Sequence, residues 1–182
     1  NGVDEKILKT AQNFVQQSEK LIEEVVSKTQ ELKSFLNDVA NIHKGAALCL
    51  MSGLFLNCIK ATGDVYNEVT LLCFFHDIGM MKCSENVRKL KPELLSKEEL
   101  DEYYIHPKLS AQILAELNFK PALVEAASQH HIRRDGSGFP KLSRGDVLLN
   151  PIAELIGMCE DFITTIGECE REGLNPIIEF RK

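Results

Sequence analysis

The chain has 182 residues, 44% of them apolar, and a formal net charge of -6. That length suits one domain plus an appendage, with enough apolar content for a packed core, and the acidic balance excludes a general binder of polymeric nucleic acid. No apolar run reaches the ~18 residues of a membrane span and no signal peptide opens the chain. The six cysteines, Cys49, Cys58, Cys73, Cys83, Cys159 and Cys169, form no Cys-x-x-Cys pair. They read as reduced core thiols of a cytoplasmic protein. The chain opens on Asn-Gly-Val without Met, so a fragment with a sensor domain upstream is expected.

From Ile7 to Val39 there is no Gly or Pro. Leu8, Ala11, Val15, Ser18, Ile22, Val25, Thr29, Leu32, Leu36 and Val39 recur at spacings of three and four. That is the a/d seam of one long helix. The seam is expected to join two chains as a homodimer, although Ser18 and Thr29 weaken it; the alternative is that it packs on its own domain. Residues 1–38 are assigned to this helix, as linker or dimerisation element, and 39–182 to the domain proper.

Helical periodicity continues over 40–60 and 65–76, with Gly79 as a stop for the second helix. Residues 80–95 read as a basic loop. Ser96 and Glu99 have the spacing of a capping box, so a helix should begin near Lys97. Pro107 and Pro121 can each start a helix. The second of these carries His130 and His131 near its end. A loop follows from Asp135 to Arg144, then a helix over 151–166 and a short helix or tail over 174–182. The expected fold class is all-α, a helical bundle preceded by a long N-terminal helix.

All five histidines, His43, His76, His106, His130 and His131, sit in contexts that could serve a metal. Successive helical residues point about 100° apart, so a His-Asp or His-His pair converges on one site most easily at a helix end. His76-Asp77 and His130-His131 both fall at such ends. Imidazole with carboxylate suits iron, manganese or zinc, and metal-assisted hydrolysis is the leading chemistry.

The stretches His76-Asp77-Ile78-Gly79, Lys91-Pro92, Leu95 through Glu99, His106-Pro107 and His130-His131 through Asp135-Gly136-Ser137-Gly138-Phe139-Pro140 together resemble the HD-GYP branch of the HD phosphohydrolase superfamily, over residues 37–166. The resemblance implies an HD-domain helical bundle with two or three metals, often iron. It implies hydrolysis of cyclic di-GMP or a related cyclic dinucleotide through metal-bound hydroxide. Position by position it gives His43, His76, Asp77, His106, His130, His131 and Glu160 as ligands, with Asp77 bridging. Val39 stands where some members carry a third-metal Glu, so two ions per chain are expected, iron first, then manganese or zinc.

Three departures stand out: Met80 replaces a phosphate-contacting Lys, Ile132 replaces a Glu, and Phe139 replaces the signature Tyr. They favour, as the alternative, a degenerate cyclic-dinucleotide sensor or interaction module. A phosphohydrolase for another nucleotide is a third reading. Lys82 is a partial substitute for the missing lysine, and Lys82, Arg88, Arg133, Arg134 and Arg144 are candidate phosphate contacts in two basic loops.

Overall fold

The computed structural model describes residues 4–26, 29–141 and 148–180. In chain order its α-helices are α1 (Glu5–Val26), α2 (Thr29–Ala40), α3 (Lys44–Cys58), α4 (Gly63–Phe75), α5 (Glu85–Lys89), α6 (Lys97–Tyr104), α7 (His106–Glu116), α8 (Pro121–Gln129), α9 (Pro151–Glu172) and α10 (Pro176–Phe180). Among the described residues the only β feature is an isolated bridge between Ile132 and Gly138, so the all-α expectation holds. No helix of the described residues is long and apolar enough to cross a membrane. The chain divides into two compact units, Asn1–Phe74 with Met158–Lys182, and Phe75–Gly157.

The first unit is organised around α3. Gly45, Ala47, Leu48, Cys49, Leu50, Met51, Ser52, Gly53, Leu54 and Leu56 are buried on every side of this helix, the pattern of a helix enclosed by its neighbours. Of the helix expected over 7–39, the described residues form α1 and α2, and residues 27 and 28 between them lie outside the described residues. The α1 seam, Ala11, Val15, Ser18, Ile22 and Val25, is buried. It packs on α3: Ser18 Oγ lies 4.0 Å from Cys49 Sγ, and a Cβ at Gly53 would stand 2.7 Å from Ile22 Cδ1. The seam is therefore the packing face of α1 within its own unit, the second of the two alternatives above. Thr29 and Leu32 lie outside the residues whose side chains are described. Phe14 meets Phe74 of α4 with ring centroids 5.6 Å apart.

In the second unit, residues 80–95 are not an open loop. They form a 3-10 turn (Ile78–Lys82), α5 and a second 3-10 turn (Pro92–Leu94). Cys83, Val87 and Leu95 make a small core there, and Met80, Leu100, Tyr103 and Leu109 pack against it. Apolar residues spaced among lysines carried that signal, and the charge obscured it. The capping box is present: Glu99 N–H donates to Ser96 Oγ at 3.2 Å, and Ser96 N–H donates to Glu99 Oε2 at 2.8 Å. Pro107 and Pro121 stand in the first turns of α7 and α8. Helix α7 packs against both α8 and the Ile78–Lys82 turn.

Candidate metal centre

The second unit places its histidines where helices end. His76 and Asp77 directly follow α4, His106 follows α6, and His130 is the C-terminal cap of α8. The last carbonyls of a helix lack intrahelical partners. Two imidazoles use them. His106 Nδ1 lies 2.6 Å from the Tyr103 carbonyl oxygen, and His130 Nδ1 lies 2.7 Å from that of Ala127. A carbonyl only accepts, so both Nδ1 atoms carry hydrogen and donate. Each ring therefore presents Nε2 to the centre, the arrangement that an outer carbonyl imposes on a metal-ligating histidine.

The two Nε2 atoms approach to 3.4 Å. Asp77 Oδ1 lies 3.1 Å from His106 Nε2 and 3.2 Å from His130 Nε2, while Asp77 Oδ2 lies 3.3 Å from His76 Nε2. The carboxylate thus turns one oxygen to each side, which fits a bridging ligand. His76, His106 and His130 are at most 1% exposed. Lone pairs facing one another beside a carboxylate, away from water, are costly unless a proton or cation lies between them. Ligand atoms of Asp77, His106, His130 and His131 all fall within 4.8 Å of one another. This all-nitrogen-and-oxygen set fits a divalent ion of the iron, manganese or zinc type.

Two glycines permit the arrangement. A Cβ at Gly79 would stand 2.3 Å from the His106 carbonyl oxygen and 2.5 Å from Ser110 N. Gly79 N–H also donates to Ser110 Oγ at 2.9 Å. Gly79 is thus needed for close approach to α7; α4 has already ended at Phe75. Gly138 has φ +80°, and a Cβ there would stand 2.0 Å from the His131 carbonyl oxygen. Tyr103 and Ser110 were not anticipated. The signal for Tyr103 was its place three residues before His106, in the last turn of a capped helix. Ser110 had none.

His43 and Glu160 belong to the first unit. His43 is the N-cap of α3, and its Nδ1 accepts from Gly45 N–H at 3.3 Å. Glu160 is buried on α9 and pairs with the Lys44 ammonium at 2.8 Å.

The expected phosphate contacts divide. Lys82 and Arg88 are exposed, Lys82 at the end of the Ile78–Lys82 turn and Arg88 on α5. Arg133 is half-buried, and its Nη1 donates to the His130 carbonyl at 2.9 Å. Arg134 forms a two-pronged pair with Glu154, with Nη2 to Oε2 at 2.7 Å. That pair holds the Glu154 carboxyl below its usual range. Arg144 lies outside the described residues. Met80 turns into the Cys83–Val87–Leu95 cluster.

Comparison with known proteins gives the family and the fold. The family model for the HD domain matches residues 65–175. A protein of Thermotoga maritima named cyclic di-GMP phosphodiesterase is 28% identical over 136 residues, which cover 73% of this chain and 36% of that protein. The chain therefore spans about a third of that relative's length. Among solved structures, an HDG"Y"P protein from Bdellovibrio bacteriovorus shares the fold, with a TM-score of 0.61 at 20% identity over 86% of this chain and 58% of that one.

Proposed function

We propose, from the premise that the chain belongs to the HD-domain family, that it is a metal-dependent phosphodiesterase whose substrate is cyclic di-GMP or a related cyclic dinucleotide. The observation that carries this reading is the convergence of His106 Nε2, His130 Nε2 and Asp77 Oδ1 within 3.4 Å of one another. Support for the substrate comes from the HD-GYP-like motifs and from the name of the Thermotoga relative.

Two divalent ions, iron first and manganese or zinc next, are the proposed cofactors. When bound, such ions supply Lewis acidity that activates water and neutralises charge on a phosphoryl oxygen. The chain's own residues do the holding. His106 and His130 are locked in one tautomer by helix-end carbonyls, and Asp77 offers one oxygen to each side. The motif resemblance adds His43 and Glu160 to His76, Asp77, His106, His130 and His131. Exposed Lys82 and Arg88 are the proposed phosphate contacts, with Arg144 by sequence position; Arg133 and Arg134 also belong to protein partners.

A second reading has an observation of its own. Met80 packs into an apolar cluster, and the Arg134 guanidinium is held by Glu154, which leaves fewer cations for a phosphate than turnover favours. A cyclic-dinucleotide sensor with little hydrolysis fits that arrangement. The test is hydrolysis of cyclic di-GMP, other cyclic dinucleotides and mononucleotide esters by anaerobically metallated protein, with equilibrium binding in parallel. Linear dinucleotide or mononucleotide product supports the enzyme. Binding without product supports the sensor. Neither binding nor product, at full metal content, overturns both.

A further inference from the structure

We propose that Phe139 is a positioning residue for His131, acting through its ring, so that the signature tyrosine's hydroxyl is dispensable here. The inference rests on the metal reading above. His106 and His130 are oriented by carbonyls three residues back; His131 meets the rings of His130, His106, Tyr103 and Phe139, and Phe139 makes the flattest of these contacts. Phe139 stacks on the His131 imidazole with centroids 4.4 Å apart and planes 29° apart. A flat stack of this kind restricts rotation of both rings.

The backbone brings the two together by a specific device. Phe139 N–H donates to the His131 carbonyl at 3.0 Å, and Ile132 bridges Gly138. Gly138 makes this possible, because its φ is +80° and a Cβ there would stand 2.0 Å from the His131 oxygen, so the position admits no side chain. Phe139 is itself packed against two tyrosines. Tyr104 and Tyr103 lie 4.8 and 5.2 Å from it, centroid to centroid, both tilted by 53°. Tyr103 is also the residue whose carbonyl fixes His106. The same tyrosine therefore supports one ligand through its backbone and the other through Phe139. Each of these contacts is made by the ring, so a phenylalanine suffices where the signature motif has tyrosine.

The test is Co²⁺ binding to the full chain, measured against a competing chelator, with the visible absorption of bound Co²⁺ as a report on its ligands. Phe139→Tyr should match the parent in affinity and spectrum. Phe139→Leu keeps apolar bulk and loses the flat face. It should lower Co²⁺ affinity by roughly tenfold, the lower end of what loss of an outer partner costs, and alter the spectrum. In a His131→Ala background the same substitution should cost nothing further. Equal losses in both backgrounds would mean general destabilisation and overturn the proposal, as would a Phe139→Leu protein with parental affinity and spectrum. If Phe139→Leu does not fold, Phe139→Met enters the same cycle. A parent chain that binds no Co²⁺ defeats the metal reading itself, which is a separate failure from a parent that binds and a variant that is unchanged.

Discussion

His106 and His130 face each other through their Nε2 atoms at 3.4 Å, and the same carboxylate oxygen of Asp77 lies within 3.2 Å of both. Each ring has already given its Nδ1–H to a helix-end carbonyl. Neither can turn its other nitrogen inward without losing a buried hydrogen bond, which costs about 1–3 kcal/mol. The convergence is therefore fixed by α6 and α8.

Asp77→Ala removes the group that faces both sides of this centre. Metal content measured on protein purified without oxygen should fall from two ions to none, with affinity reduced beyond the ~10–100-fold typical of losing an outer partner. Retention of full occupancy would show that Asp77 does not bridge.

The burial of the α1 seam leads to a stability prediction. Ile22 is fully buried while Leu21, its neighbour, is 44% exposed. Ile22→Ala should lower the unfolding free energy by about 2–5 kcal/mol, the usual range for an isoleucine truncated in a core. Leu21→Ala should stay within roughly 0.5 kcal/mol of the parent, as surface changes do. Urea titration at constant molar mass, checked by light scattering, separates loss of packing from dissociation of subunits.

Much of this arrangement was legible in the sequence, and the misses share a cause. Helix starts at Lys97, near Pro107 and at Pro121 followed from capping and proline chemistry, which act within three or four residues. The histidine pairs were legible as helix-end features for the same reason. Whether the α1 seam faced a second chain or its own unit was not decided by periodicity, because both choices present the same stripe. Gly79 read as a stop because the sequence does not show that α7 packs against it. Phe139 looked like a loss of a hydroxyl; only the stack on His131 shows that the ring is the part in use.

Thiol reactivity should divide the cysteines sharply. Cys49, Cys73, Cys83, Cys159 and Cys169 are buried, and Cys58 is exposed. Burial pushes the Cys49 and Cys73 thiols up to about 12 and raises Cys159 as well. The thiolate is the reactive form, so these groups should resist alkylation near pH 8. Mass spectrometry of native protein treated with iodoacetamide should find one fast adduct, at Cys58, and Cys58→Ser should abolish it. Fast labelling of Cys49 or Cys73 would contradict the packing around α3.

The identity of the phosphate-binding cation can be tested at positions 80 and 82. On sequence alone, Met80→Lys is an attractive way to restore the missing ammonium. The structure argues otherwise. Met80 packs against Cys83, Val87 and Leu95, and a lysine there must either leave that cluster or carry its charge along it. A long stem can snorkel to water, but lost apolar burial should still lower stability by about 1 kcal/mol, a fraction of the ~1.5–3 kcal/mol of a fully buried side chain. Lys82 already stands exposed at the end of the same turn. Lys82→Ala should therefore weaken cyclic di-GMP binding by about 2–5-fold without changing stability, as the loss of one screened charge contact allows. Met80→Lys should melt earlier and gain no rate. Equilibrium binding and hydrolysis, with all variants at equal metal content, distinguish the two positions. A faster Met80→Lys enzyme would mean that the turn repacks to present the new ammonium, and that position 80, not Lys82, faces the phosphate.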